Sequence, residues 1–136
     1  MSIKTGHCLC GSVSYEISSP SVFSITCHCT DCQKASGSAF SINIGVPEES
    51  FNVTGDSLTK YADKGDSGLE LRHYFCNKCG SPIFNEADAI PGLKIVKAGT
   101  LDDVSTFKPD TNIFCDSRME WLTQSGKTTD FDKMPS

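Results

Sequence analysis

The chain has 136 residues, with 12 Lys plus Arg against 17 Asp plus Glu, 38% hydrophobic residues and eight cysteines, which is the size of one domain able to bury a core. A formal charge of −5 without any Lys/Arg run removes the electrostatic attraction on which nucleic-acid and anionic-membrane binding depend, so neither partner is expected. The opening Met-Ser-Ile-Lys-Thr-Gly-His forms no apolar leader, and no stretch approaches the roughly 18 apolar residues of a membrane span, which points to a cytosolic or nuclear, by default cytoplasmic, home.

In chain order, Cys8-Leu9-Cys10 comes first and is followed by Gly11. Val13, Tyr15 and Ile17 then alternate with polar residues as in a half-buried strand, ended by Ser18-Ser19-Pro20. Cys27-His28-Cys29-Thr30-Asp31-Cys32 opens the next segment, where Thr30 or Asp31 is placed to cap a short helix through Gln33, Lys34 and Ala35 that Gly37 stops. Phe40, Ile42, Ile44 and Val46 alternate with Ser41, Asn43 and Gly45, and Leu69, Leu71, His73 and Phe75 alternate with Glu70, Arg72 and Tyr74, so two further strands with one buried face each are expected. Cys76-Asn77-Lys78-Cys79-Gly80 follows, then a strand at Leu93 to Ala98, a solitary Cys115 and a polar, irregular tail over 126–136. No repeat or linker divides the chain, so residues 1–136 read as a single domain.

Seven of the eight cysteines are clustered, and in a reducing compartment such clusters are metal ligands rather than disulfides. Cys8, Cys10, Cys76 and Cys79 supply the four thiolates of a closed structural zinc, with Gly11 and Gly80 allowing the sharp turns that aim backbone N–H groups at sulfur. Cys27, Cys29 and Cys32 supply three, the number that leaves a catalytic zinc open to water or substrate. A fourth donor for that site remains open among His7, His73 and Cys115, whereas His28, lying between ligands, should project away from the metal. The small, polar Ser36-Gly37-Ser38 run beside the open site leaves room and donors for a ligand, and reads equally as a plain helix-to-strand turn.

The segments Gly6–Val13, Cys27–Phe40 and Phe75–Pro82 resemble, in order and spacing, the glutathione-dependent formaldehyde-activating enzyme family, which includes the centromere protein V domain. Ala98-Gly99-Thr100-Leu101-Asp102-Asp103, Phe107-Lys108-Pro109 and Trp121 extend the likeness over nearly the whole chain. The resemblance implies a mainly β fold, zinc-stapled sheets of the beta-tent type shared with methionine-R-sulfoxide reductases. It implies a structural zinc on Cys8, Cys10, Cys76 and Cys79 and a catalytic zinc on Cys27, Cys29 and Cys32. The implied reaction is that of a carbon–sulfur lyase, the reversible addition of the glutathione thiol to formaldehyde or another small aldehyde; the alternative is a non-catalytic binding module of the centromere protein V type. A sulfoxide reductase would need a low-pKa cysteine outside the metal sites, and only Cys115 is left over. Where family members often carry a histidine, this chain has Asn112 before Ile113-Phe114-Cys115.

Seven thiolates against two Zn²⁺ would add three negative charges to the formal −5, so anionic glutathione needs a local cation. Lys34, two residues past Cys32, is the nearest in sequence, with Arg72 and Lys97 as alternatives that depend on the fold. The expected substrate-binding set is therefore Lys34, Ser36, Gly37 and Ser38.

Overall fold

The computed structural model describes residues 3–122 and 128–135. Among the described residues the strands are β1 (Lys4–His7), β2 (Ser14–Ile17) and β3 (Phe23–Cys27), followed after an α-helix, α1 (Thr30–Ser36), by β4 (Ser41–Pro47), β5 (Phe51–Thr54), β6 (Leu58–Lys64), β7 (Glu70–Cys76), β8 (Pro82–Ala87), β9 (Leu93–Lys97), β10 (Thr111–Ile113) and β11 (Thr129–Asp130). The fold is mainly β, as expected. Among the described residues no helix is long and apolar enough to cross a membrane.

A small antiparallel sheet, β1-β2-β5, packs on a large one of order β11-β10-β3-β4-β9-β8-β7-β6. Only β10 runs parallel to its neighbours, β3 and β11. The core lies between the sheets, where Val13, Tyr15, Ile17 and Phe51 meet Ile44, Val46, Phe84 and Val96. Both expected alternations in this region hold: β2 buries Tyr15 and Ile17, and β4 presents Ile44 and Val46 to the core. Aromatic rings tie the layers together, with Tyr15 and Phe51 5.3 Å apart and Phe51 and Phe84 4.9 Å apart at their centroids.

β7 departs from its sequence pattern. Tyr74, on the side expected to be polar, stacks on Phe84 at 4.4 Å, and Arg72 beside it binds Glu86, Glu70 and Asp88. Leu71 and His73, on the side expected to be buried, instead line an open concavity. The inversion has a physical reason: Tyr74 places its ring in the core while its hydroxyl donates to Glu86 at 3.0 Å, and Glu86 also accepts from Arg72. Polar ends satisfied in this way let an aromatic and an arginine stem cover the core side.

The tail is more ordered than its composition suggests. Within the expected irregular segment, residues 126, 127 and 136 lie outside the described residues, but β11 pairs with β10, and Phe131 N donates to Asn112 O at 2.8 Å. Asn112 explains it. Fully buried, its carboxamide accepts from the Thr26 hydroxyl and donates to Thr128 Oγ1 at 2.8 Å and Asp130 Oδ1 at 2.7 Å. One side chain thus joins β3, β10 and β11.

Candidate metal centres and substrate cavities

All eight cysteines are unbridged. The sulfurs of Cys8, Cys10, Cys76 and Cys79 lie within 4.8 Å of one another. The first two come from the turn after β1 and the second two from the turn between β7 and β8. Gly11 and Gly80 each take a left-handed conformation, φ 82° and 81°, which completes the two turns without a Cβ clash. Backbone N–H groups then point at sulfur: Val13 N to Cys8 at 3.3 Å and Lys78 N to Cys76 at 3.4 Å. Hydroxyls from Ser12 and Ser57, each 3.3 Å from the Cys76 sulfur, hold its pKa down to about 5, and Ser81 brings Cys79 down to about 7. This is a pocket built for thiolates. Cys8 and Cys76 are fully buried, so the metal position faces the core on one side.

The sulfurs of Cys27, Cys29 and Cys32 form a second set within 4.8 Å. Cys27 ends β3, Cys29 caps α1 and Cys32 lies in its first turn. The expected cap at Thr30 or Asp31 is replaced by Cys29, whose sulfur accepts from Cys32 N at 3.2 Å, because the chain must turn there to bring two sulfurs to one point. Gly37 ends the helix as expected, with φ 64°. Gln33 locks the helix down, its amide donating to His28 O at 2.9 Å and Ser117 O at 3.0 Å. Hydrogen bonds from Cys27 and Cys29, then from the Ser41 hydroxyl, pull Cys32 down to about 2, while Cys27 is pushed well above the usual thiol range by giving up its hydrogen bonds to the other two.

Among the described residues the second set gains no fourth protein donor. His7 is tied to Asp102 at 2.6 Å, and Cys115 donates to Asn112 O. His73 stands on the cavity wall against Tyr61, and its pKa is lowered by burial and by Lys97. His28 points away from the sulfurs, as the alternation requires: it is fully buried against Phe40, with Nε2 3.1 Å from Thr26 Oγ1. Burial raises the Cys115 pKa, the opposite of what a reactive thiol outside the metal sets would need. Asn112 sits in the Thr26 network rather than among the sulfurs.

Two cavities meet at this set. One, of about 410 Å³, includes Cys32, Lys34, Ser36, Ser41, Tyr61, His73, Asn85 and Lys97 in its wall. The other, of about 420 Å³, shares Cys32, His73, Asn85 and Lys97 and adds Cys27, Cys29 and apolar side chains such as Phe23, Ile25, Leu71, Ile95 and Ile113. Of the expected binding residues, Lys34 and Ser36 reach the first cavity, but the Ser36 hydroxyl is already donated to Cys32 O at 2.7 Å. Gly37 and Ser38 are in neither wall. Arg72 is engaged by three carboxylates on the other side of β7, whereas Lys97 lies in both walls. Sequence reasoning missed Ser41, Asn43 and Asn85. For Ser41 and Asn43 the signal was present in β4, where the polar half of the alternation faces the cavity instead of bulk water, whereas Asn85 comes from β8.

The sequence profile of a family described as glutathione-dependent formaldehyde-activating enzyme matches residues 3–117. Three curated relatives bear the name "Putative glutathione-dependent formaldehyde-activating enzyme". That of Podospora anserina is 28% identical over 85% of this chain and 56% of its own length, that of Penicillium rubens 29% over 84% and 60%, and that of Aspergillus flavus 28% over 84% and 61%. The chain thus spans well under two thirds of the length of these relatives. The crystal structure of a Rhodobacter sphaeroides protein shares the fold, with a TM-score of 0.58 at 22% identity, covering 72% of this chain and 87% of that one.

Proposed function

The chain belongs to the glutathione-dependent formaldehyde-activating enzyme family, and from that premise we propose that it is a cytoplasmic zinc enzyme of the carbon–sulfur lyase type that adds a thiol, glutathione first among them, to formaldehyde or another small aldehyde. The observation that carries the reading is the three-sulfur set with no fourth protein donor among the described residues, placed where two cavities meet.

The donor sets fit zinc. Four soft thiolates drawn within 4.8 Å, each pair turned by a glycine, suit a closed structural ion on Cys8, Cys10, Cys76 and Cys79. Three thiolates suit an open one on Cys27, Cys29 and Cys32. Zinc bound there supplies Lewis acidity and lowers the pKa of a thiol. In the net reaction the sulfur lone pair forms the C–S bond, the C=O π pair moves onto oxygen, and the thiol proton ends on that oxygen. The chain's own residues frame this chemistry. Ser41 stands beside the set, paired in register with Cys27 and sharing a cavity wall with Cys32, and the two cavities would hold thiol and aldehyde at the same edge of the cluster. Lys34, exposed at the mouth of the first cavity, offers a cation to a glutathione carboxylate.

Metal content per chain, followed by a panel of thiols and aldehydes, tests the proposal. Two zinc ions and accelerated adduct formation with at least one pair are expected. Two tightly held zinc ions with no acceleration by any pair would favour the binding module of the centromere protein V type.

A further inference from the structure

Lys97 is placed where a lysine is costly. It ends β9 on the concave face of the large sheet, half-buried, while surface lysines on strands ordinarily point to water. Register puts it directly opposite Asn43 of β4, and its ammonium donates to Asn43 Oδ1 at 2.9 Å. The amide is oriented from both ends, since Asn43 Nδ2 donates to Ser41 Oγ at 2.9 Å. Ser41 in turn is the register partner of Cys27, the first cysteine of the set, and shares a cavity wall with Cys32. Hydrogen bonds therefore run from Lys97 through Asn43 to Ser41, which stands beside the cluster, and both Asn43 and Ser41 are buried.

An ammonium has three protons. The described structure uses one, on Asn43, and Lys97 lies in the walls of both cavities. Burial pulls its pKa down, and the charges of Cys32, Cys27 and Cys29 act in the opposite direction. A fixed cation with spare donors, beside the cluster and open to both cavities, matches the one place where the reaction creates charge outside the sulfurs, the former aldehyde oxygen.

We propose that Lys97 donates hydrogen bonds to the anionic oxygen that develops as the C–S bond forms, with Asn43 as the residue that positions it. The proposal rests on the thiol–aldehyde reading above. The sulfur pair makes the new bond as the thiol proton passes to water, the π pair of the carbonyl becomes the oxyanion, Lys97 stabilises that charge as a donor, and water returns a proton to the oxygen to complete the hydroxyl, so that the net transfer is of the thiol proton to that oxygen. In reverse, the same contact stabilises the alkoxide before the C–S bond breaks and the electron pair returns to sulfur. Preorganised donors of this kind are worth about 10²–10³ in rate.

Two measurements on the metal-loaded protein test it. In adduct exchange between glutathione and formaldehyde, Lys97→Met should lower kcat about 100-fold with the glutathione KM changed less than about threefold, and Lys97→Arg should recover part of the loss. ¹³C-formate, a small oxyanion that needs no reaction, should bind the wild type and lose at least tenfold in affinity with Lys97→Met, while zinc content and Tm stay at wild-type values. Formate binding and exchange that are both unaffected by Lys97→Met overturn the proposal and leave the thiol–aldehyde reading intact. A wild type that holds formate through Lys97 but exchanges no adduct overturns that reading instead and leaves Lys97 as an anion site.

Discussion

Cys10 and Cys76 stand 66 positions apart in the chain, and their sulfurs lie 3.8 Å apart. That approach joins the turn after β1 to the end of β7 across the core, so metal on this set closes a long loop and adds apparent binding energies on the order of 10 kcal/mol known from small zinc domains. Cys76→Ser should therefore lower Tm severely and leave little folded protein, whereas Cys29→Ser should lose one zinc and keep most of the fold. Tm and metal content of the two variants, measured side by side, check this; equal destabilisation would refute the division of labour.

Lys34 offers a second check, on recognition rather than folding. It is exposed, so its attraction to an anionic tripeptide is screened by salt. Lys34→Ala should raise the glutathione Kd or KM more at low than at high ionic strength, by up to about tenfold in the former. Titrations at two salt concentrations read the effect, and equality at both removes Lys34 from the site.

Asn112 is a buried structural part that ties three strands together. Asn112→Leu keeps the volume but removes the amide that the Thr26 hydroxyl, Thr128 and Asp130 share, leaving each with fewer partners. A loss of about 1–3 kcal/mol is expected, together with faster proteolysis of the tail and unchanged zinc content. Limited proteolysis with metal analysis separates this outcome from a direct effect on the cluster.

Glu86 gives the fold an acid-sensitive link. Burial raises its pKa, but hydrogen bonds from Lys94, Arg72 and Tyr74 outweigh this and bring it down to about 2 from the ordinary 4.5. A depressed carboxyl pKa means that the stabilisation is fully present above about 4.5 and is lost as pH falls toward 2. The Tm gap between wild type and Glu86→Gln should stay constant from pH 7 to about 5 and close below that. A gap that widens in acid would reverse the sign.

Close packing beside the four-sulfur set makes Gly6 irreplaceable. A Cβ there would come within 2.2 Å of the Tyr15 ring and 2.6 Å of Thr100 O, and the latter is backbone that cannot swing away. Gly6→Ala should cost about 1–3 kcal/mol or more, visible as a lower urea midpoint with an unchanged slope.

The sequence carried the sulfur sets in full, because ligand spacing is local and Gly11 and Gly80 mark the turns. It also carried β2 and β4, where one face is plainly apolar. β7 was misread because Arg72 and Tyr74 count as polar in an alternation yet cover the core once Glu86 satisfies them, a fact that depends on β8. The roles of Asn43 and Ser41 were hidden for the converse reason. A polar strand face can look to water or to a cavity, and only the curvature of the eight-stranded sheet decides. The tail depended on Asn112, whose partners lie 16 and 18 residues away.

The most direct measurement is exchange at equilibrium. Glutathione, ¹³C-formaldehyde and their adduct interconvert without help, so binding alone can imitate catalysis by depleting free reactants. Magnetisation-transfer NMR with substoichiometric, zinc-loaded protein distinguishes the two, since a catalyst speeds both directions and leaves the equilibrium constant unchanged. The expected result is faster interconversion by the wild type, lost in Cys29→Ser and retained in Cys115→Ala. Background exchange with both zinc ions retained, or a shift in adduct that only tracks protein concentration, would contradict a carbon–sulfur lyase at the three-cysteine site.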